Sequence, residues 1–114
     1  MAIPNATHQA AADAIKNLGN YVALFTGAGG GTNGANEATG GGYARQPTTW
    51  SSTGSGGVNG SQVAIPCAAG TYTEGGVFSA ASGGTFVGSN PFAGGSVVVS
   101  GSGASILVTP SIAA

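Results

Sequence analysis

The chain has 114 residues, of which only five are charged and 23 are glycine. Because Lys16 and Arg45 are its only basic residues, it lacks the basic patch with which a nucleic-acid-binding protein neutralises phosphates. No apolar run approaches the roughly 20 residues of a membrane span, and large aliphatic residues are few, so we expect one domain over residues 1–114 with a small core and with neither nucleic acid nor membrane as partner.

One helix is predicted, over residues 5–18. Alanine, the best helix former, is frequent there, and Gly19 stands where a left-handed residue commonly ends a helix. Apolar side chains recur at helical spacing, at Ala11, Ala14, Ile15 and Leu18. This stripe is thin, so we expect the helix to pack on a sheet or on a neighbouring chain.

Residues 21–112 are predicted to form a β domain. Residues 21–26 are apolar and rich in strand-forming types without alternation, which indicates a strand buried on both faces. Residues 27–42 contain eight glycines and are expected to form a loop. Residues 43–50 favour a strand in which Pro47 marks an edge position or a bulge.

The later strands are short. Residues 62–65 favour a strand that stops at Pro66. Residues 70–80 favour another, with Tyr72 and Phe78 on the same face.

Two hairpin turns are predicted, at residues 82–84 and 101–103, because each is a Gly/Ser cluster between two β-prone runs. In all, six or seven short strands at regular spacing indicate a mostly β fold, a β-sandwich or jelly-roll-like domain with one short N-terminal helix. The alternative architecture is a strand-rich module that completes its sheets only in an oligomer.

Residue types suited to catalysis or metal binding are scarce. One His, one Cys and three carboxylates are spread along the sequence, and no four of them form a convincing zinc site. A nucleophile pair of Cys67 and His8 is conceivable, but a cysteine among alanines is more typical of a small buried side chain. The glycines of residues 27–31 are not followed by the helix that a phosphate-binding loop requires. We therefore expect no catalytic residue, no metal site and no cofactor.

Glu37 and Arg45 stand symmetrically about Gly41, the middle of a glycine triplet. If the triplet forms a turn, the two side chains lie opposite each other, and opposite charges at facing positions fix the register of a ribbon. We therefore predict a structural ion pair between them. The alternative is that Arg45, the only arginine, anchors an interface with a partner subunit.

The aromatic side chains are expected in the core or between sheets, because each buries a large area and large aliphatic residues are few. They are Tyr43, Trp50, Tyr72, Phe78, Phe86 and Phe92. Tyr43, Trp50 and Phe92 are also candidate interface residues. A carbohydrate platform built from Trp50 and a tyrosine is a less favoured interpretation, since few carboxylates and amides accompany it.

Two segments carry a specific pattern. The first is Asn-Glu followed by Gly-Gly-x-Tyr-Ala-Arg, formed by Asn36, Glu37, Gly41 or Gly42, Tyr43, Ala44 and Arg45. The second, residues 70–86, runs from Gly-Thr-Tyr-Thr to Gly-Thr-Phe. With these segments the chain resembles small tailed-phage virion proteins, described variously as tail fibre, minor capsid or head-decoration proteins, over roughly residues 5–112.

The resemblance implies a non-enzymatic structural protein of the virion, assembled in the host cytoplasm. The short chain favours a capsid decoration or minor capsid protein that binds the outer capsid surface and reinforces contacts between subunits of the major capsid protein. Since decoration proteins often occupy local three-fold positions, the resemblance also implies self-association as a trimer. The alternatives are a small tail fibre or baseplate component that recognises the host surface and, further off, a glycan-binding module.

Overall fold

The structure, a computed structural model, describes residues 2–26, 34–101 and 103–114. These residues contain one helix, α1, which covers Asn5–Lys16 and ends two residues earlier than predicted; Gly19 has no positive φ, so the left-handed end that we expected there is wrong. The strands are β1 (Tyr21–Phe25), β2 (Gln46–Pro47), β3 (Trp50–Ser52), β4 (Gly57–Gly60), β5 (Val63–Cys67), β6 (Gly70–Tyr72), β7 (Glu74–Phe78), β8 (Phe86–Pro91), β9 (Val97–Val99), β10 (Ala104–Val108) and β11 (Ser111–Ala113). The mostly β class with one short N-terminal helix is confirmed, although these strands outnumber the six or seven that we expected.

The second half of the chain forms one long antiparallel ribbon. Strands β4 to β7 run outward and β8 to β11 return, so that β7 pairs with β8, β6 with β9, β5 with β10 and β4 with β11. Backbone hydrogen bonds continue the pairing across two of the breaks, from Gly60 N–H to Pro110 O at 2.8 Å and from Phe92 N–H to Thr73 O at 3.0 Å. The tip of the ribbon lies at residues 79–85, so the hairpin that we predicted at residues 82–84 is confirmed.

The hairpin predicted at residues 101–103 is wrong. Strands β9 and β10, on either side of it, are successive parts of the same returning strand and pair with β6 and β5. In sequence, four residues (100–103) separate β9 from β10, whereas only two (68–69) separate β5 from β6. Gly101 and Gly103 have φ angles of 96° and 74°, which lets them accommodate this excess in the manner of an enlarged bulge.

The first half of the chain widens the ribbon at two places. Strand β1 pairs with β7 along its whole length, which gives the sheet order β2-β1-β7-β8. Strand β3 pairs with β4, which gives the order β11-β4-β3. The single strand that we predicted over residues 43–50 is in fact β2 and β3, two strands of different sheets. Pro47 does lie on an outer strand, as expected.

The core consists of two clusters on opposite faces of β1. Val22 and Leu24 belong to the first, together with Ile65 and Ile106 of the ribbon. Ala23 and Phe25 belong to a second cluster with Phe78. The expectation that β1 is buried on both faces is therefore confirmed, and the first cluster packs the β1 sheet against the β5–β10 pair in a sandwich-like arrangement.

Two expectations about the ribbon strands are wrong. Tyr72 and Phe78 are both buried but lie in different clusters, because β6 and β7 are separated at Thr73 and belong to different sheets. Strand β5 does not stop at Pro66 but continues to Cys67. Its one strand partner is β10, and a missing N–H is tolerated in a strand with a free side.

Helix α1 packs on the β11-β4-β3 sheet through a face other than the predicted stripe. Ala12 is buried, whereas three residues of the predicted stripe, Ala11, Ala14 and Leu18, are exposed and the fourth, Ile15, is half-buried. Polar contacts hold the helix, with Gln9 Nε2 donating to Gly57 O at 2.9 Å and Ser52 Oγ donating to Asp13 at 2.6 Å. Apolar spacing did not reveal this face because the helix docks largely by hydrogen bonds.

Candidate functional site

The segment of residues 34–45, which carries the specific sequence pattern, folds against the end of β1. Glu37 forms an isolated bridge with Phe25, and backbone hydrogen bonds join Thr26 N–H to Asn36 O at 2.9 Å and Ala38 N–H to Leu24 O at 2.9 Å. Glu37 is thus placed by the backbone before its side chain makes any contact. Residues 27–33 of the predicted loop lie outside the described residues.

A glycine turn brings Arg45 back to Glu37. Gly40, Gly41 and Gly42 all have positive φ angles, between 62° and 79°, and Tyr43 N–H donates to Gly40 O at 3.0 Å. The two charged residues face each other across this turn without a β ladder between them, so the geometry differs from the ribbon that we predicted.

Arg45 is bound on every side of its guanidinium group. Its Nε donates to Glu37 Oε2 at 2.7 Å and its Nη2 to Glu37 Oε1 at 2.8 Å, a two-pronged pairing of the kind that suits the planar fork of arginine. Its Nη1 donates to the backbone oxygens of Ala80 and Gly83, both at 2.8 Å. The side chain therefore joins the glycine turn to the tip of the ribbon, and we call this group the Arg45 clamp.

The clamp lies on the second core cluster. The Arg45 guanidinium carbon is 3.6 Å from the centre of the Phe78 ring, a cation–π contact. Phe78 packs in turn on Phe25 and Phe86, with ring centres 6.0 and 5.4 Å away. The ion pair therefore covers an aromatic cluster that would otherwise be open on this side.

Tyr43 completes the clamp on the side of β1. Its hydroxyl donates to Glu37 Oε2 at 2.7 Å and accepts the N–H of Leu24 at 3.2 Å. Strand β2 pairs only with Tyr21 and Val22, so this hydroxyl satisfies a β1 donor beyond the end of β2. Burial and the hydrogen bond to Glu37 raise the pKa of Tyr43 far above its usual range, which keeps the hydroxyl protonated as a donor.

The pair is shielded from water. The Arg45 side chain is 7% exposed and the Glu37 side chain 22% exposed. Burial opposes ionisation of Glu37, but the hydrogen bonds from Arg45 and Tyr43 outweigh it, and the pKa of Glu37 is lowered. The hydrogen bond to Glu37 raises the pKa of Arg45. Both groups are therefore charged across the ordinary pH range.

We expect the stability of the protein to fall on acidification below the ordinary glutamate pKa of 4.5, because the pKa of Glu37 is lower in the folded state. The contribution of Glu37 to the free energy of unfolding is complete above pH 4.5 and is lost as the pH falls through the pKa that Glu37 has in the folded state. Chemical denaturation at a series of pH values measures the loss. Glu37→Gln should flatten the acid limb of the profile, and a variant profile as steep as that of the wild type would contradict the assignment.

Asp13→Asn provides the matched control. Hydrogen bonds from Ser52 and Gln9 lower the pKa of Asp13 as well, but this carboxylate is solvated, so solvent weakens its contribution to the acid limb. A smaller flattening than in Glu37→Gln is the expected result.

The other sequence-predicted residues lie apart from the clamp. Trp50 is half-buried, and its Nε1 donates to Gly19 O at 3.0 Å, so the polar edge of the indole is used within the chain. Phe92 packs against the first core cluster. Cys67 is fully buried in that cluster, whereas His8 packs beside Gly56 under the C-terminus. Asn36 and Gly42 serve the backbone turn, both with positive φ.

The described residues contain no group of three or more His, Cys, Asp or Glu side chains that could hold a metal ion. In the same part of the chain, no helix has the length and apolar character needed to cross a membrane. In the Arg45 clamp, four of the five guanidinium N–H groups donate hydrogen bonds within the chain, so the clamp holds two segments together.

Sequence reasoning paired Glu37 with Arg45 but missed the other partners of the clamp. The oxygens of Ala80 and Gly83 belong to backbone groups, which leave no mark on composition. Tyr43 was placed in the pattern, yet its two hydrogen bonds were not foreseen. Its position two residues before Arg45 was the available signal, since alternate residues of an extended segment share a face.

Comparison with known proteins places the chain in a family. Residues 4–110 match the model of a family described as Podophage GP4 fiber I protein gp80. No curated protein and no solved structure matches the chain. The match covers the clamp and the whole paired ribbon up to Pro110, and it confirms the resemblance to small tailed-phage virion proteins. The chain therefore belongs to the Podophage GP4 fiber I protein gp80 family and is a structural protein of the phage virion.

Proposed function

We propose that the chain is a non-enzymatic subunit of a phage fibre, held in the virion by contacts between protein surfaces. The family match over residues 4–110 carries this proposal, because the family is described as a fibre protein. The sequence favoured a capsid decoration protein and kept a small tail fibre component as the alternative. The family description supports the alternative.

The shape and charge of the protein are compatible with a subunit of an extended assembly. The molecule measures 49 by 25 by 23 Å, about twice as long as it is wide. Glu74 is the last charged residue, so residues 75–114 present only neutral side chains. Charged residues are depleted at the centres of protein interfaces, and this surface suits burial against other subunits.

The proposal includes self-association. The sheets end in strands that have one strand partner only, among them β8 and β3, and such edges are sites of pairing between chains. We propose copies of the chain as its principal partner, with the trimer implied by the family resemblance as the expected state. Assembly in the host cytoplasm is part of both proposals. Binding of the major capsid protein belongs only to the decoration alternative, which the location of the chain on the particle distinguishes from a fibre subunit.

Immunogold electron microscopy of intact particles tests the proposal. Antibody raised against the purified chain is expected to label fibres, and the same antibody absorbed with the purified chain is the control. Label spread over the head surface would contradict a fibre subunit and would favour a decoration protein bound to the major capsid protein. Label on fibres at the tail would also favour a role in recognising the host surface, which binding of the purified chain to host cells would then test.

A further inference from the structure

A groove of about 400 Å³ opens on the inner face of the β7–β8 pair. Gly75 and Gly88 line it from the two strands, and neither brings a side chain. Its walls include Val77, Phe92 and Ile112. Polar residues also line it, namely Ser89, Asn90, Thr109 and Ser111. The groove is thus a mainly apolar space that the glycines leave unfilled, of the size that binding sites commonly have.

Strand β8 borders the groove with a free edge. It is an outer strand of the β2-β1-β7-β8 sheet, and residues 87–91 of its six line the groove. Natural sheets protect such edges with charges, proline or bulges. Here the strand carries no charge, but it has a bulge at Val87 near its start and Pro91 at its end, so residues 88–90 leave a short edge open to an added strand.

The opposite surface of the ribbon presents exposed apolar side chains. Leu107 of β10 is 63% exposed and Val98 of β9 is 73% exposed. Their neighbours Ile106 and Val97 face the first core cluster, so alternation along the strands turns Leu107 and Val98 outward. Ala64, the cross-strand partner of Leu107, is exposed as well. We call this surface the outer ribbon face.

We propose that the groove receives Leu107 and the surrounding outer ribbon face of a second copy of this chain. The inference rests on the proposed self-association and names the surfaces that carry it. Val108 lines the groove, whereas Leu107 beside it points away, so the two surfaces lie on opposite sides of β10. The contact is therefore heterologous, each copy giving its outer face to one neighbour and its groove to another, and a rotation that closes produces a ring.

A second copy fits better than a charged partner. Both surfaces lack charged residues: the groove is lined only by neutral side chains, and the ribbon beyond Glu74 has none. A charged partner would lose hydration there without gaining an ion pair. An exposed leucine that enters the groove instead gains the apolar burial that it lacks in the isolated chain.

Two variants of the full chain test the contact from its two sides. Leu107→Ser removes the inserted side chain. Gly88→Leu places a side chain in the groove, at a position where an added β-carbon meets no atom within 4 Å and where φ is not positive. Leu18→Ser is the matched control, since Leu18 is a leucine of similar exposure, 59%, that does not line the groove and does not belong to the outer ribbon face. Circular dichroism and thermal melting confirm that each variant is folded.

Light scattering over a concentration series gives the dissociation constant of self-association. We expect Leu107→Ser and Gly88→Leu each to weaken it about tenfold or more, and Leu18→Ser to leave it unchanged. A mixture of the two variants should form heterodimers, because Gly88→Leu retains Leu107 and Leu107→Ser retains an empty groove. At the concentrations at which the mixture forms heterodimers, each variant alone should stay monomeric.

Three results would overturn the inference. They are a wild-type chain that stays monomeric throughout, an effect of Leu107→Ser without one of Gly88→Leu, and a mixture that forms no heterodimer. The second result would indicate pairing of two outer ribbon faces across a two-fold axis. A monomeric wild-type chain would also contradict the proposed self-association, whereas the fibre assignment is decided independently by the location of the label on the particle.

Discussion

Replacing Arg45 with alanine is expected to lower the free energy of unfolding by about 3 kcal/mol, the lower end of the cost of removing one partner of a buried ion pair, because this pair is only partly buried. The substitution leaves the Glu37 carboxylate shielded and without its cation. It also leaves the backbone oxygens of Ala80 and Gly83 without the donor that joins them to the glycine turn. Urea denaturation, with the midpoint and slope compared between variant and wild type, measures the loss.

Lys16→Ala is the matched control, because Lys16 is the other basic residue of the chain. Its Nζ is 3.6 Å from Asp13 Oδ1, and the two side chains are 27% and 38% exposed. Solvated pairs of this kind contribute less than about 1 kcal/mol. Equal losses from the two alanine variants would therefore contradict the clamp. If Arg45→Ala kept its stability but lost self-association, Arg45 would be an interface anchor instead.

Arg45→Lys separates charge from geometry. Lysine keeps the positive charge but lacks the planar fork that reaches both Glu37 oxygens and lies flat on Phe78. We expect Arg45→Lys to lower the free energy of unfolding relative to the wild type, but by less than Arg45→Ala does. A double-mutant cycle with Glu37→Gln then gives the coupling energy of the pair itself, free of the contribution from the ribbon tip.

The Glu37–Arg45 pair was predictable because its partners lie within nine residues, and a glycine triplet at the midpoint indicates a turn. The ribbon was predictable only in part. The same Gly-Ser-Gly pattern that ends a hairpin also serves where a continuing strand holds extra residues, as at residues 100–103. Local sequence does not distinguish the two, since the difference lies in the partner strand more than 30 residues away.

The docking of α1 and the core clusters illustrate a second limit. The predicted helix stripe relied on apolar spacing, but Gln9 and Asp13 hold the helix to the sheet by hydrogen bonds. In contrast, the continuous apolar run of β1 correctly indicated burial on both faces, because a strand between two clusters has no polar side. Sequence patterns therefore predict apolar buried faces more reliably than they predict faces that pack through polar contacts.

The three glycines of the triplet differ in the space that an added β-carbon would have. Gly40, Gly41 and Gly42 all adopt positive φ, but an added β-carbon at Gly40 or Gly42 meets no atom within 4 Å. At Gly41 the β-carbon would lie 2.5 Å from Ala68 Cα and 2.7 Å from Ala68 N. Ala68 belongs to the break between β5 and β6, so the turn of the clamp packs directly on the backbone of the ribbon.

We expect Gly40→Ala and Gly42→Ala each to cost about 1–2 kcal/mol of unfolding free energy, the penalty of a left-handed conformation for a residue with a β-carbon. Gly41→Ala should cost a further 1–3 kcal/mol, because backbone atoms cannot rotate away as a side chain does and the turn or the ribbon must shift. Denaturation of the three variants under identical conditions gives the comparison.

The difference between Gly41→Ala and its two neighbours isolates the close approach, since all three share the conformational penalty. Equal losses at the three positions would mean that the turn stands clear of Ala68. A larger loss of unfolding free energy for Gly41→Ala would show that the turn of the clamp packs closely against the backbone of the ribbon at Ala68. The high glycine content of this segment would then reflect a requirement for contact at one position and for backbone conformation at the other two, so that the specific sequence pattern of residues 36–45 encodes the shape of the turn as much as the ion pair that closes it.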